Sequence, residues 1–416
     1  MKKQINYYSI LAFNVGFLSI PLYLYLPKYY ANNFAIPLSI IGLLIFAIRI
    51  FDTFWDLYVG YISNKINNSK KIIIISFLAI LLSYPMLFSP PDLIIKANLI
   101  YYWLFFTLFF LSLSFSLFYI NYYAYGVYLA KNNLDQLNLA TTREAITFVG
   151  VVFAIIIPQI LLYNFSQINA FSIYSIMFVI IGLLALSLFN KLPTLQDENT
   201  LSNKTYIQIK NIFINNPLLF SFFLINTLAN SISSSLYIFY IEDYLYAKNQ
   251  ELFLMIAFFL SSALSIPLWQ SIAKKYSKIN ILLWISPLAI LSFASISLID
   301  NTQINLFYIV SIFSGFLIGA DFLYASTLIA NMVKNQGFSS TIGFSLYHFL
   351  NKLAMSLAII IALPILDIFN YTNFQGLSGG NIVVKYTYVI LPLLFKLISF
   401  ILIIILKKRG QKYENY

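Results

Sequence analysis

Asp52 and Asp56 stand one helical turn apart inside an otherwise apolar and aromatic stretch, AIRIFDTFWDLYVGY, with Arg49 one turn before them. The spacing i, i+3, i+7 places all three on one face of a helix, within an arc of roughly 60°. Two carboxylates so placed make a cage of hard oxygen donors for a cation, or hold a proton, because two like charges at short range do not both stay ionised cheaply. The competing reading is an internal Arg49–Asp52 ion pair that ties helices together. A second apolar run carries Lys352 with His348 one turn before it, a solute-facing or coupling pair, or else a lysine beside a hydrogen-bonded interior histidine. Asp321 and Lys396 are the remaining charges in apolar runs, and they either contact solute or pair with each other. Asn121 and Tyr125, again one turn apart, are candidate polar lining. Such groups suit reversible binding better than bond-making. The chain has a single histidine and no cysteine, so it offers neither a histidine metal cluster nor thiol chemistry. It also lacks a Gly-rich phosphate loop, which disfavours a nucleotide-driven pump. Enzymatic function is not expected, and no cofactor is expected.

These charges matter because of what surrounds them. Of 416 residues, 60% are hydrophobic and only 9% are charged, against roughly a quarter charged in an ordinary soluble domain. A long chain so poor in charge cannot cover its surface for water, so its solvent is lipid. Each charge at a helix centre costs about 2.5–3.5 kcal/mol on the insertion scale, and so must face a polar interior or another charge.

The apolar runs define twelve expected helices, at about 7–30, 37–63, 72–89, 98–129, 142–163, 169–190, 217–245, 251–273, 280–299, 303–333, 340–366 and 384–406. The first is read as a retained span, since no small-residue cleavage site follows the charged start MKKQ. Residues 1–190 form one six-helix bundle, 191–216 a polar linker, 217–406 a second bundle and 407–416 a basic tail. With the N-terminus inside, the cytoplasmic segments hold 18 Lys/Arg, Arg143 among them, and the opposite side holds four: Lys28, Lys96, Lys248 and Lys385. That asymmetry puts both termini in the cytoplasm of a bacterial inner membrane. The +11 net charge is therefore a topology signal, with no basic patch shaped for nucleic acid. On this register Asp52 lies about 16 Å from the cytoplasmic helix end, Lys352 and Asp321 about 18 Å, and Lys396 about 15 Å. Charges from both halves share one depth.

The short basic loops GYISNKINNSKK and WQSIAKKYSKIN fall at equivalent places in the two halves, as in the parallel repeats of the major facilitator architecture. The segment AIRIFDTFWDLYVGYISNK (47–65) resembles the signature of the glycoside–pentoside–hexuronide cation symporter family, R-x-x-D-x-x-x-D-P-x-x-G followed by a basic loop. Arg49, Asp52, Asp56 and Gly60 match it, and Leu57 replaces the proline. Further similar segments are LPKYYANNFAIPLSIIGLL (26–44), REAITFVGVVFAIIIPQ (143–159), GADFLYAS (319–326), YHFLNKLAMSLAIIIALPILD (347–367) and LPLLFKL (391–397). The resemblance implies an all-α membrane fold of two pseudo-symmetric six-helix bundles. It also implies cation-coupled symport of a small organic solute by alternating access, through a protein working as a monomer in the bilayer. It assigns Asp52 and Asp56 to the cation site, Na+ included, with Lys352 beside them. It assigns Arg143 to the solute cavity, which Arg49, Asn121, Tyr125, Asp321 and His348 are expected to share. The chain departs from the family pattern at Trp55, where an asparagine stands between the carboxylates, and at Phe118, the place of a hydroxyl ligand on the fourth helix. Gly16 and Asn121 occupy the positions of sugar-gripping carboxylates. These departures favour proton coupling and a solute other than a galactoside, a sugar-like compound or, alternatively, a lysolipid or other amphipathic molecule.

Overall fold

The computed structural model describes residues 1–66, 68–195, 205–369 and 380–409. It is helical throughout, with no strand among the described residues. Twelve helices are long and apolar enough to span a bilayer: α1 (Lys2–Phe34), α2 (Leu38–Ile66), α3 (Ser69–Phe88), α4 (Ile100–Leu129), α5 (Asn133–Asn164), α6 (Gln167–Phe189), α7 (Pro217–Tyr244), α8 (Lys248–Ala273), α9 (Lys278–Ile296), α10 (Ile304–Gln336), α11 (Ser340–Ile368) and α12 (Ile382–Lys408). A chain in hydrocarbon has no water to satisfy its backbone, so each apolar run closes its own hydrogen bonds as a helix. Side-chain caps mark four of the starts: Asn68 accepts from Lys71 N, Asn132 from Asp135 N, Ser166 from Asn169 N and Ser277 from Asn280 N. Proline interrupts α1 at Pro21, where a π turn, Pro21–Tyr25, absorbs the missing donor. A second π turn, Tyr240–Tyr244, ends α7.

Two compact units divide the chain. The first comprises Met1–Gln208 together with Gln336–Leu346, so it includes the first turns of α11. Here α1 packs on α5, α3 on α4 and α6, and α2 on α4. Gly16 and Gly150 let the backbones of α1 and α5 meet, since a side chain on Gly150 would run into the Phe13 carbonyl and one on Gly16 into that of Thr147. Tyrosine hydroxyls bind the helices to one another through backbone carbonyls: Tyr29 to Phe88, Tyr30 to Leu87, Tyr174 to Phe17, and Tyr8 and Tyr122 reciprocally.

The second unit comprises Ile209–Asn335 and Tyr347–Tyr416. There α12 packs against α7 and α9, and Ala354, Ala358 and Ala362 present a row of small residues in the buried core beside Tyr240 and Tyr388. Within the expected linker, Thr205–Asn215 is a short helix, whereas 196–204 lies outside the described residues. So does 410–416 of the expected basic tail, and with these segments Lys204 and Lys412.

Candidate functional site

Asp52 and Asp56 both lie in the middle of α2, and Asp56 is fully buried at 0% exposure. An Asp at that depth is tolerated only inside a polar interior. Asp52 Oδ1 accepts a hydrogen bond from Ser116 Oγ of α4 at 2.8 Å. The fourth helix therefore does bring a hydroxyl to the carboxylate, but from Ser116, while Phe118 turns away to pack on Phe77 and Tyr122. Two residues along a helix are about 200° apart, so Phe118 and Ser116 serve different faces. Arg49 places its guanidinium over the ring of Tyr23, 5.2 Å from the centroid, on the π turn of α1. Trp55, between the two carboxylates in sequence, packs against Phe51 and Tyr58. Its indole Nε1 is sealed, with no acceptor among the described residues. Gly60 closes the motif for a steric reason, because a Cβ there would meet the Ser345 side chain at the start of α11.

Arg143 belongs to a different assembly. The fifth helix begins at Asn133, nine residues before the expected start, so Arg143 lies about 15 Å along it and is buried, which removes it from the loop charges. Its Nε and Nη2 donate to Glu144 Oε1 at 3.1 and 2.7 Å, and its Nη1 donates to Tyr8 Oη at 3.0 Å. The guanidinium lies flat over Tyr123, 3.4 Å from the ring centroid, and Tyr123 in turn donates to Glu144 at 3.0 Å. Tyr119 extends this network by donating to Tyr123 Oη at 2.8 Å. Glu144 is the residue the hydropathy reading missed. It sits inside the expected fifth span beside Arg143, and a charge of each sign at adjacent positions was the available signal.

Asn121 and Tyr125 make separate contacts. Asn121 is buried and donates to Ser63 Oγ of α2 at 2.7 Å and to its own helix at Leu117 O. Tyr125 stacks on Tyr8 and donates to the Pro193 carbonyl at 2.6 Å, which pins the chain leaving α6 to α4.

Asp321, His348 and Lys352 fall in the second unit. His348 is buried on α11 with Lys352 one turn beyond it, and Asn351 Oδ1 accepts from Thr227 of α7 at 3.0 Å. Asp321 of α10 pairs with Lys396 of α12 at 3.1 Å, and Asn226 of α7 binds both. Among the described residues no group of three or more His, Cys, Asp or Glu is arranged to hold a metal. A hard cation at Asp52 and Asp56 would therefore draw its remaining donors from hydroxyls, carbonyls or water, with Ser116 already at hand.

The first unit thus holds a mid-span carboxylate pair with a hydroxyl against one of its members, and the second unit separately holds a buried Asp321–Lys396 pair. The crystal structure of a Major Facilitator Superfamily transporter, FucP, in the outward conformation superposes with a TM-score of 0.73 at 14% identity, covering 98% of each chain. A second FucP structure, described as the E. coli fucose:proton symporter, gives 0.71 at 14% identity over 99% of this chain and 98% of that one. No curated protein matches the chain. The model of the family described as MFS/sugar transport protein matches residues 7–407. The chain thus belongs to the MFS/sugar transport protein family of the major facilitator superfamily, multi-pass membrane transporters.

Proposed function

We propose that this transporter is a cation-coupled symporter of a small hydroxylated solute, sugar or sugar-like, with Asp52 and Asp56 as its coupling carboxylates. The observation that carries the reading is Asp56, a carboxylate with no exposure at mid-span, one turn from a second carboxylate that already holds a hydroxyl ligand. Burying acid at that depth is costly, and reversible neutralisation by H+ or Na+ gives it a use. Cation and solute binding together would neutralise the site and favour exchange between inward- and outward-open states. Lys352 and His348 act in the same cycle from the second unit. The monomer works in a bacterial inner membrane with both termini in the cytoplasm, as the Lys/Arg asymmetry of the loops indicates.

The test is uptake into proteoliposomes carrying the full chain, with Na+ and proton gradients imposed separately. Labelled sugars form one arm and lysophosphatidylcholine the other. Asp56→Asn is expected to lose accumulation against a gradient while retaining solute exchange. Full active uptake by that variant would refute coupling through α2. Transport of lysophosphatidylcholine with no sugar uptake would overturn the sugar reading.

A further inference from the structure

The second unit carries three polar groups from three helices where packing alone asks for fewer. Lys396 Nζ of α12 donates to Asn226 Oδ1 of α7 at 2.7 Å and to Asp321 Oδ2 of α10 at 3.1 Å. Asn226 Nδ2 donates to the same Asp321 Oδ2 at 3.2 Å, and Ser399 Oγ reaches Asn226 Oδ1 at 3.4 Å. All three helices contribute from near their middles: Asn226 is about 14 Å along α7 and Lys396 about 18 Å from the end of α12.

The first unit provides an internal comparison. At the corresponding seam, where its first helix meets its last, Asn14 of α1 donates to the Phe178 carbonyl of α6 at 3.0 Å. One amide on one carbonyl suffices there. The Asp321–Lys396 pair is therefore not a requirement of that seam, and buried ion pairs are weak contributors to stability when apolar packing is available.

The two carboxylate oxygens of Asp321 are treated unequally. Oδ2 receives both protein donors, whereas Oδ1 receives none from the described residues and is not among the sealed polar atoms. Lys396 is 5% exposed and Asp321 13%, so the acid is the more accessible member of the pair. An ionised carboxylate anchored by one oxygen and open at the other is a charge-assisted acceptor. The ammonium 3.1 Å from its other oxygen repels a bound cation, but it does not oppose a neutral O–H donor.

We propose that Asp321 is a solute-contacting carboxylate of the second unit, accepting a hydroxyl of a neutral polyhydroxylated solute through Oδ1, with Lys396 and Asn226 as its positioning residues. This assignment rests on the sugar reading above and deepens it. Because the pair is neutral, the solute brings hydroxyls and needs no charge of its own.

The experiment uses the full chain in proteoliposomes with L-fucose, D-galactose, D-xylose and melibiose as labelled probes, followed by monodeoxy analogues of whichever sugar is taken up, as competitors. Wild type is expected to discriminate against one deoxy position. Asp321→Asn is expected to raise KM about tenfold or more, to leave maximal uptake largely intact, and to erase that one discrimination. Lys396→Met should do the same and Lys396→Arg should restore most of the affinity. A purely structural pair would instead weaken all competitors equally. Unchanged KM in Asp321→Asn, or the same deoxy penalties in variant and wild type, overturns the proposal while the transport reading stands. If the single variants are not monodisperse, the Asp321→Asn, Lys396→Met double variant, which leaves no unpaired charge, takes their place with the same criteria. If wild type takes up no sugar of the panel, the sugar reading fails, and this assignment with it.

Discussion

Removing the carboxylate of Glu144 should leave Arg143 as a buried cation without its counterion. In the structure the two side chains are 4% and 3% exposed, and the shorter of two Arg–Glu hydrogen bonds is 2.7 Å. Breaking a buried pair by deleting one partner costs about 3–5 kcal/mol, mostly because the other charge remains. Arg143 would keep its bond to Tyr8 and its place over Tyr123, a cation–π contact of about 2 kcal/mol where desolvated, so that part is not lost. A glutamine there keeps one oxygen that can accept from the Tyr123 hydroxyl, so the loss is that of the counterion rather than of this bond. Glu144→Gln is therefore expected to destabilise the first unit by about 3–5 kcal/mol. Arg143→Met should cost a similar amount, and the two together less than the sum. The assay is a double-mutant cycle by reversible SDS unfolding in mixed micelles, read by tryptophan fluorescence. Single losses below about 1 kcal/mol, or strictly additive losses, would refute the account of a tightly coupled interior pair.

Three other outcomes follow from the same contacts. Ser116→Ala removes a hydroxyl donor to Asp52 Oδ1 and should weaken the coupling cation's apparent affinity several-fold without loss of fold, measured by cation titration of uptake. Gly150→Leu drives a side chain into the α1 backbone at Phe13 and should abolish monodisperse expression, read by size-exclusion chromatography; normal behaviour would show that α1 and α5 can separate freely. Tyr125→Phe should cost about 1 kcal/mol of stability through the lost bond to Pro193 and leave the solute KM unchanged, whereas a changed KM would restore Tyr125 as solute lining.

The membrane character and the twelve spans were legible because hydropathy is a property of single segments, and lipid enforces one segment, one helix. Mid-span charges were legible for the same reason, as departures from a strict local rule. What escaped the sequence was pairing between segments. Asp321 and Lys396 were candidates for each other, but nothing in either segment announced Asn226 as the amide that joins them. The start of α5 was obscured because NLDQLNLATT is polar, although it continues the helix beyond the apolar run. That offset of nine residues counts Arg143 among the cytoplasmic loop charges, although it is interior, where the family resemblance also puts it. The family pattern puts the fourth-helix hydroxyl at Phe118, whereas rotation about the helix axis selects Ser116.

The tyrosine-to-carbonyl bonds explain how such an architecture outlives its own sequence. Each joins a side chain to an oxygen that every amino acid supplies, and that oxygen keeps a spare lone pair beyond its helical bond. The accepting residue is consequently free to drift: Phe88, Leu87, Phe17 and Ile299 can be exchanged without erasing the acceptor offered to Tyr29, Tyr30, Tyr174 and Tyr244. Only one member of each link depends on the identity of its side chain. Among the described residues nine of the 32 tyrosines are fastened in this way, so much of the helix arrangement rests on acceptors that no particular side chain has to supply.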